Sequence, residues 1–183
     1  MKNIFFITIL FVGIFCKAQT YPLTETQVPA GAYISDTQNN LPPFEGDWAG
    51  IWAGKTFLIN FKKITNIHDN HCNCNRDYLI GKFQVKDISG NILFNNMNLP
   101  DNAAKIEGIK IFPNGKYLLT YVDADLCLKS GRVSIEFTNT TKTEMKFKFM
   151  ETSQLIDSEC FYHGKPIDQR PEPLPKEIIL NKH

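Results

Sequence analysis

The chain has 183 residues, 43% of them hydrophobic, with 20 Lys and Arg set against 19 Asp and Glu. A net charge of +1 leaves no electrostatic footprint for nucleic acid or for an anionic membrane surface. The length fits a single domain able to bury a core.

Residues 1–18, MKNIFFITILFVGIFCKA, place Lys2 before an apolar run from Ile4 to Cys16 that only Thr8 and Gly13 interrupt. The run is shorter than the roughly 20 residues of a membrane span, and Ala18 offers a cleavage position, so the segment reads as an export signal. An uncleaved anchor and a lipid on Cys16 are the alternatives. Phe15 argues against the lipid, which wants a small residue before the cysteine. Cleavage removes Lys2 and Lys17 and leaves 183 less 18, or 165 residues, with 18 basic against 19 acidic side chains and no membrane span. The expected location is beyond the cytoplasmic membrane: periplasmic, outer-surface or secreted.

Residues 19–43 carry Pro22, Pro29, Pro42 and Pro43, an Asn39-Asn40 turn signal and no hydrophobic period, which predicts an extended N-terminal arm. From residue 44 to 183 a single β domain is expected, because short apolar alternations are separated by turn residues. Residues 44–53 and a following run with Phe57, Ile59 and Phe61 on one face predict a hairpin about Gly54. Residues 78–87 alternate with Leu79, Phe83 and Val85 on one face; Ser89-Gly90-Asn91 turns the chain and residues 92–94 return. Residues 106–112 and 116–122 flank Pro113-Asn114-Gly115, where Asn-Gly suits the positive φ angles of a tight hairpin. Val133, Ile135 and Phe137, then Met145, Phe147 and Phe149, alternate with polar residues across the turn at 139–143, as in a sheet with one wet face. The tail, with Pro166, Pro171, Pro173 and Pro175, reads as extended and irregular, and residues 177–180 as a closing edge strand. The fold class is therefore all-β, an antiparallel meander of about eight to ten strands, with a small barrel preferred over a sandwich.

The segment YISDTQNNLPPFEGDWAGIWAGKTFLINFKKI at residues 33–64, with YLIGKF at 78–83, resembles a family of small exported bacterial proteins classed only as a domain of unknown function. The likeness covers the signal and most of the remaining chain and implies no catalytic residues. Within it, Gly46-Asp47-Trp48 resembles the Gly-x-Trp that opens the first strand of lipocalins and other calycins. That resemblance implies a lipocalin-like cup-shaped barrel, with Trp48 packed across the closed end, Gly46 permitting close approach, and a cavity for an apolar ligand. The second lipocalin motif is not recognisable.

Beyond Cys16 the chain keeps Cys72, Cys74, Cys127 and Cys160, an even set that in an exported chain predicts disulfides. A Cys72 to Cys74 bridge closes a very tight ring. Pairing Cys72 with Cys127 and Cys74 with Cys160, or the exchange of those partners, closes longer loops, each worth roughly 3 to 5 kcal/mol, and these two connectivities are favoured. Free or redox-active thiols are the second reading, and a metal the third: the stretch HDNHCNCNRD, residues 68–77, offers metal-ligating side chains, but its spacing is not that of a common zinc site. His68 and His71 are then exposed loop residues. Asp123 and Asp125 lack the rest of a calcium loop and read as strand-end turn residues.

No Gly-x-Ser-x-Gly, Ser-x-x-Lys or His-Glu-x-x-His motif is present, and Glu107 and Glu136 are carboxylate candidates without independent support. The aromatics, Trp48, Trp52, Phe57, Phe61, Phe83, Tyr117, Tyr121 and Phe147 among them, suit a core. No cofactor and no metal are expected. The functional expectation is a non-enzymatic binding module for an apolar ligand or a partner protein. The alternative is a structural or surface-interaction protein with a solid core, and a hydrolase with an unrecognised site stands third.

Overall fold

A computed structural model describes residues 19–183; residues 1–18, read above as an export signal, lie outside the described residues, Cys16 with them. In the arm, β1 (Thr20–Pro22) and β2 (Tyr33–Ser35) are short parallel partners. The domain then runs through β3 (Gly46–Trp52), β4 (Lys55–Asp69), β5 (Cys74–Lys86), β6 (Ile92–Asn95), β7 (Ile106–Ile111) and β8 (Tyr117–Asp123). It ends with β9 (Lys129–Phe137), β10 (Glu144–Ser153) and β11 (Glu177–Lys182).

Eight of these strands close a barrel in the order β5-β4-β3-β11-β10-β9-β8-β7, with β7 returning to β5. Every pair around the ring is antiparallel. Of the described strands, β1, β2 and β6 lie outside this ring; β2 and β6 pair beside β7 along the same edge of β5, and β1 pairs with β2. The chain is thus an all-β up-and-down barrel and not a sandwich. The last strand differs from its expectation as an edge: β11 sits between β10 and β3, pairing with both, and closes the wall. Its alternation, Ile178 and Leu180 inward and Ile179 outward, suits a strand with neighbours on both sides.

Period-two alternation fills the interior. Phe57, Ile59 and Phe61 of β4, Phe83 and Val85 of β5, Leu119 and Tyr121 of β8, Val133 and Ile135 of β9, and Met145 and Phe147 of β10 are all at most 2% exposed. Two of the rings lie over glycines of the neighbouring strand. A Cβ at Gly108 would stand 1.9 Å from the Tyr117 hydroxyl, and one at Gly131 would stand 2.4 Å from the ring of Phe149. Tapered small barrels are packed solid in this way.

One turn departs from its expected form. Only Gly115 takes a positive φ, 83°, between β7 and β8. Pro113 presets the first turn angle in the right-handed region, so the Gly115 N–H donates to the Phe112 carbonyl and Asn114 needs no left-handed backbone.

The arm end of the barrel, where the β4–β5 and β7–β8 turns lie, is closed by the arm itself. Leu41 and Phe44 are buried there, Phe44 stacks on Phe137 at 4.2 Å, and its carbonyl accepts the Trp48 indole N–H at 2.8 Å. The far end carries the β8–β9 turn and the long excursion from β10 to β11, with Leu126 and Leu174 buried.

Candidate functional site

The free edge of β5 is shared by three partners. β6 pairs with residues 84–86, β7 with only Ile80 and Gly81, and β2 with Asn75 and Arg76. On the arm-end side of Ile80 the wall therefore splits between β5 and β7. Two side chains bridge the split: Tyr117 accepts the Leu79 N–H on its hydroxyl at 3.2 Å, and Arg76 donates to the carbonyls of Gly108 and Ile109. Arg76 also donates to Asp69 at 3.0 Å across the hairpin. Burial, outweighed neither by the charge of Arg76 nor by any donor, pushes the Tyr117 hydroxyl up to about 12, which keeps it neutral.

The arm is clamped to this split through Asp77. Its carboxylate accepts Tyr33 Oη at 2.6 Å and the backbone N–H groups of Asp36 and Asn66 at 3.0 Å. Burial pushes the Asp77 carboxyl up, but those donors and the charge of Lys63 outweigh it and hold its pKa below 3.8. Asp36, equally buried, accepts the N–H groups of Asn40 and Leu41 and the ammonium of Lys63 at 2.9 Å. Nothing in the arm's composition signals this clamp. The legible signal is Asp77 itself, an acid in the inward register of Leu79, Phe83 and Val85.

Two clefts flank Arg76. One, of about 280 Å³, is lined by Leu23, Val28 and Ile34 of the arm segment together with Cys72, Ile109 and Lys110. The other, of about 590 Å³, holds His68, Asp69, His71, Tyr78, Glu107 and Thr120. Burial raises the Glu107 carboxyl, with Arg76 opposing and Asp69 assisting. Burial also pushes Asp69 up, but the His71 N–H and the Arg76 guanidinium bring its pKa below the ordinary value. A single raised carboxyl falls short of the raised pair that the hydrolase alternative needs. Among the described residues no group of three or more His, Cys, Asp or Glu side chains converges to hold a metal.

The four cysteines form two disulfides, Cys72–Cys74 and Cys127–Cys160. This corrects the long-range pairing favoured from loop length. The meander carries the β4–β5 tip to the arm end and the β8–β9 turn to the far end, so Cys72 and Cys74 cannot reach Cys127 or Cys160. Cys127, left-handed at φ 56°, instead meets Cys160 of the β10–β11 excursion.

The other singled-out residues fall apart from one another. Gly46 opens β3 at φ 106°, and Trp48 is fully buried beneath Phe44 and Phe137. His68 and His71 are exposed at the tip. Asp123 and Asp125 hold a cation of the chain's own, the Lys105 ammonium, at 2.5 and 2.7 Å, while Tyr121 donates to Asp123 from the core. Glu136 lies on the outer face near Lys146, remote from Glu107.

Among curated proteins and among solved structures nothing matches the chain. The model of a "Family of unknown function (DUF6705)" matches residues 1–183.

Proposed function

The chain belongs to that family of unknown function, and we propose that it is an exported, non-enzymatic interaction module that meets a partner protein with the arm end of a solid barrel. The observation that carries the reading is the filled interior. An apolar ligand inside the wall would have to displace Trp48, Phe57, Phe83 or Phe147, each at most 2% exposed. What remains for recognition is the outside, and the arm end supplies an ordered, concave and partly apolar surface between the arm, the hairpin tip and β7. Concave sites with a few fixed polar groups are the usual form of a recognition surface. The cysteine bridges favour an oxidising compartment, and the export signal supplies the route.

The test is affinity capture from the exported fraction of the producing cells, with cross-links mapped by mass spectrometry. Cross-links should concentrate on residues 23–34, 69–72 and 109–110, and Val28→Glu with Ile109→Glu should abolish capture while leaving the melting temperature nearly unchanged. Equal capture by wild type and variant would overturn the reading, as would a small apolar molecule retained in the native mass spectrum.

A further inference from the structure

The Cys72–Cys74 bridge spans a single residue, Asn73, in the turn that joins β4 to β5. A ring this small does little for stability. In the chain-entropy account it is worth less than half of what a bridge over some thirty residues contributes, and the hairpin it tips already has an unbroken ladder on either side of its one bulge. It also holds Asn73 in the left-handed region at φ 47°, where a side chain with a Cβ is disfavoured and Asn is only tolerated.

The two sulfurs are placed unequally. Cys74 is 1% exposed, whereas Cys72 is partly exposed and lines the cleft between the arm and β7. The cleft offers Leu23, Val28 and Ile34 as an apolar flank, with Arg76 and Lys110 as cations set against Glu25, Asp69 and Asp77, Arg76 being paired with Asp69 at 3.0 Å. An incoming thiolate therefore meets Cys72 and not the buried Cys74. The arm completes the arrangement by holding the ring from behind: Gly31 donates its N–H to the Asn73 carbonyl at 2.8 Å, and the Asn75 N–H donates to the Ala32 carbonyl at 2.9 Å.

We propose that Cys72–Cys74 is a redox-active disulfide, with Cys72 as the attacked sulfur, that exchanges with the thiols of a polypeptide seated in the arm-end cleft. A substrate thiolate attacks Cys72 Sγ, the Cys72–Cys74 bond breaks, and its electron pair goes to Cys74 Sγ, which takes a proton from solvent. A mixed disulfide now joins Cys72 to the substrate. The substrate's second cysteine, as thiolate, attacks its own sulfur in that bond, and the electron pair leaves to Cys72 Sγ, which is protonated in turn. The substrate dithiol has lost two electrons to become a disulfide, and Cys72 and Cys74 have become thiols. The identity of the substrate as a protein rests on the partner-binding reading; the reactivity of the bridge does not.

The second bridge is an internal control. It too pairs a buried cysteine, Cys160, with a partly exposed one, Cys127, but it ties the β8–β9 turn to the excursion from β10 across a separation of 33 residues, a structural role that Cys72–Cys74 lacks.

The experiment uses the native, signal-free protein in graded mixtures of reduced and oxidised glutathione, followed by alkylation and peptide mapping. The expected result is that Cys72–Cys74 opens in mixtures at least about tenfold less reducing than those that open Cys127–Cys160, with the glutathione adduct on Cys72. Opening of both bridges together, an adduct on Cys74, or a Cys72–Cys74 bridge that opens only when the barrel unfolds would overturn the proposal. A second arm offers a synthetic peptide with two cysteines as electron donor. One peptide disulfide should form per Cys72–Cys74 pair lost, and none with a Cys72→Ser, Cys74→Ser double variant that melts cooperatively. If the glutathione arm succeeds and the peptide is oxidised no faster than free dithiothreitol at equal thiol, the bridge is redox-active but the cleft does not bind polypeptide. In that case the partner-binding reading fails and the redox proposal loses its protein substrate.

Discussion

The space above Gly108 is set by the Tyr117 side chain, its hydroxyl nearest and its ring behind, and that hydroxyl also receives the Leu79 N–H where the β5–β7 ladder has lapsed. Gly108→Ala therefore forces either the ring or strand β7 to move, and overpacking of this kind typically costs about 1–3 kcal/mol. Denaturant unfolding should place the variant in that range, and Tyr117→Phe should be less damaging in its presence than in the wild type, because the two changes share one clash. Asp77 is the other residue on which the arm end depends. Asp77→Asn removes the charge from an acceptor of two backbone N–H groups and a tyrosine hydroxyl, a loss on the order of 2 kcal/mol. Because the folded pKa of Asp77 lies below its unfolded value, its stabilisation is complete above the unfolded pKa and is lost as pH falls through the folded one. Unfolding midpoints measured from pH 7 downward should thus fall less steeply below about pH 4 in the variant than in the wild type. The difference isolates Asp77 from the other acids that titrate in the same window. A sequence reading sees Asp77 only as a polar residue on an apolar register, since its partners Tyr33 and Asp36 lie more than forty residues away in the chain.

At the scale of elements, local chemistry was legible and long-range pairing was not. Hairpins β3–β4 and β7–β8 follow from alternation and turn residues that sit within a few positions of one another. Strand β2 has only three residues, Tyr33–Ser35, and owes its existence to the vacant edge of β5 at Asn75 and Arg76. No local pattern announces a strand that tertiary context creates. The cysteines show the same limit from the other side: loop entropy ranks pairings only among cysteines that the topology allows to meet. The observed pairing makes the two bridges unequal. Removing Cys127–Cys160, which closes a separation of 33 residues, should cost about 3–4 kcal/mol in the chain-entropy account, against about 1–2 kcal/mol for Cys72–Cys74. Paired Cys→Ser variants compared by chemical denaturation provide the measurement, and a larger loss at Cys72–Cys74 would contradict the assignment of that bridge to chemistry over stability. Strand β11 carries more than either bridge. It joins β10 over five residue pairs and β3 over two, so ending the chain before Glu177 opens the wall along two seams and removes the buried Ile178 and Leu180 from the core. The truncated chain should lose its near-ultraviolet dichroism and its cooperative transition, where shortening an ordinary edge strand would only lower the melting temperature.

For the molecule as a whole, the decisive property is that a barrel of eight strands sits at the size where side chains can just fill the interior. The choice between cup and solid depends on how much ring volume the inward positions carry. Here Trp48, Phe57, Phe61, Phe83, Tyr117, Tyr121, Phe147 and Phe149 point inward from five of the eight barrel strands, and both ends are capped by buried residues of the arm and the excursion. The Gly-x-Trp start is compatible with either outcome, because a tryptophan under Phe44 and Phe137 closes one end whether or not a cavity lies below it. An apolar dye therefore discriminates. A cup with an apolar lining binds anilinonaphthalene sulfonate in its native state and brightens it, whereas a filled barrel brightens it only as packing is lost. The native protein at pH 7 should leave the dye dark. Brightening should appear with acid, as Asp77 protonates and the arm releases from the split between β5 and β7, and it should appear at higher pH in Asp77→Asn, whose arm is already loosened. Native-state brightening at neutral pH would restore the cavity and return the apolar-ligand reading to first place.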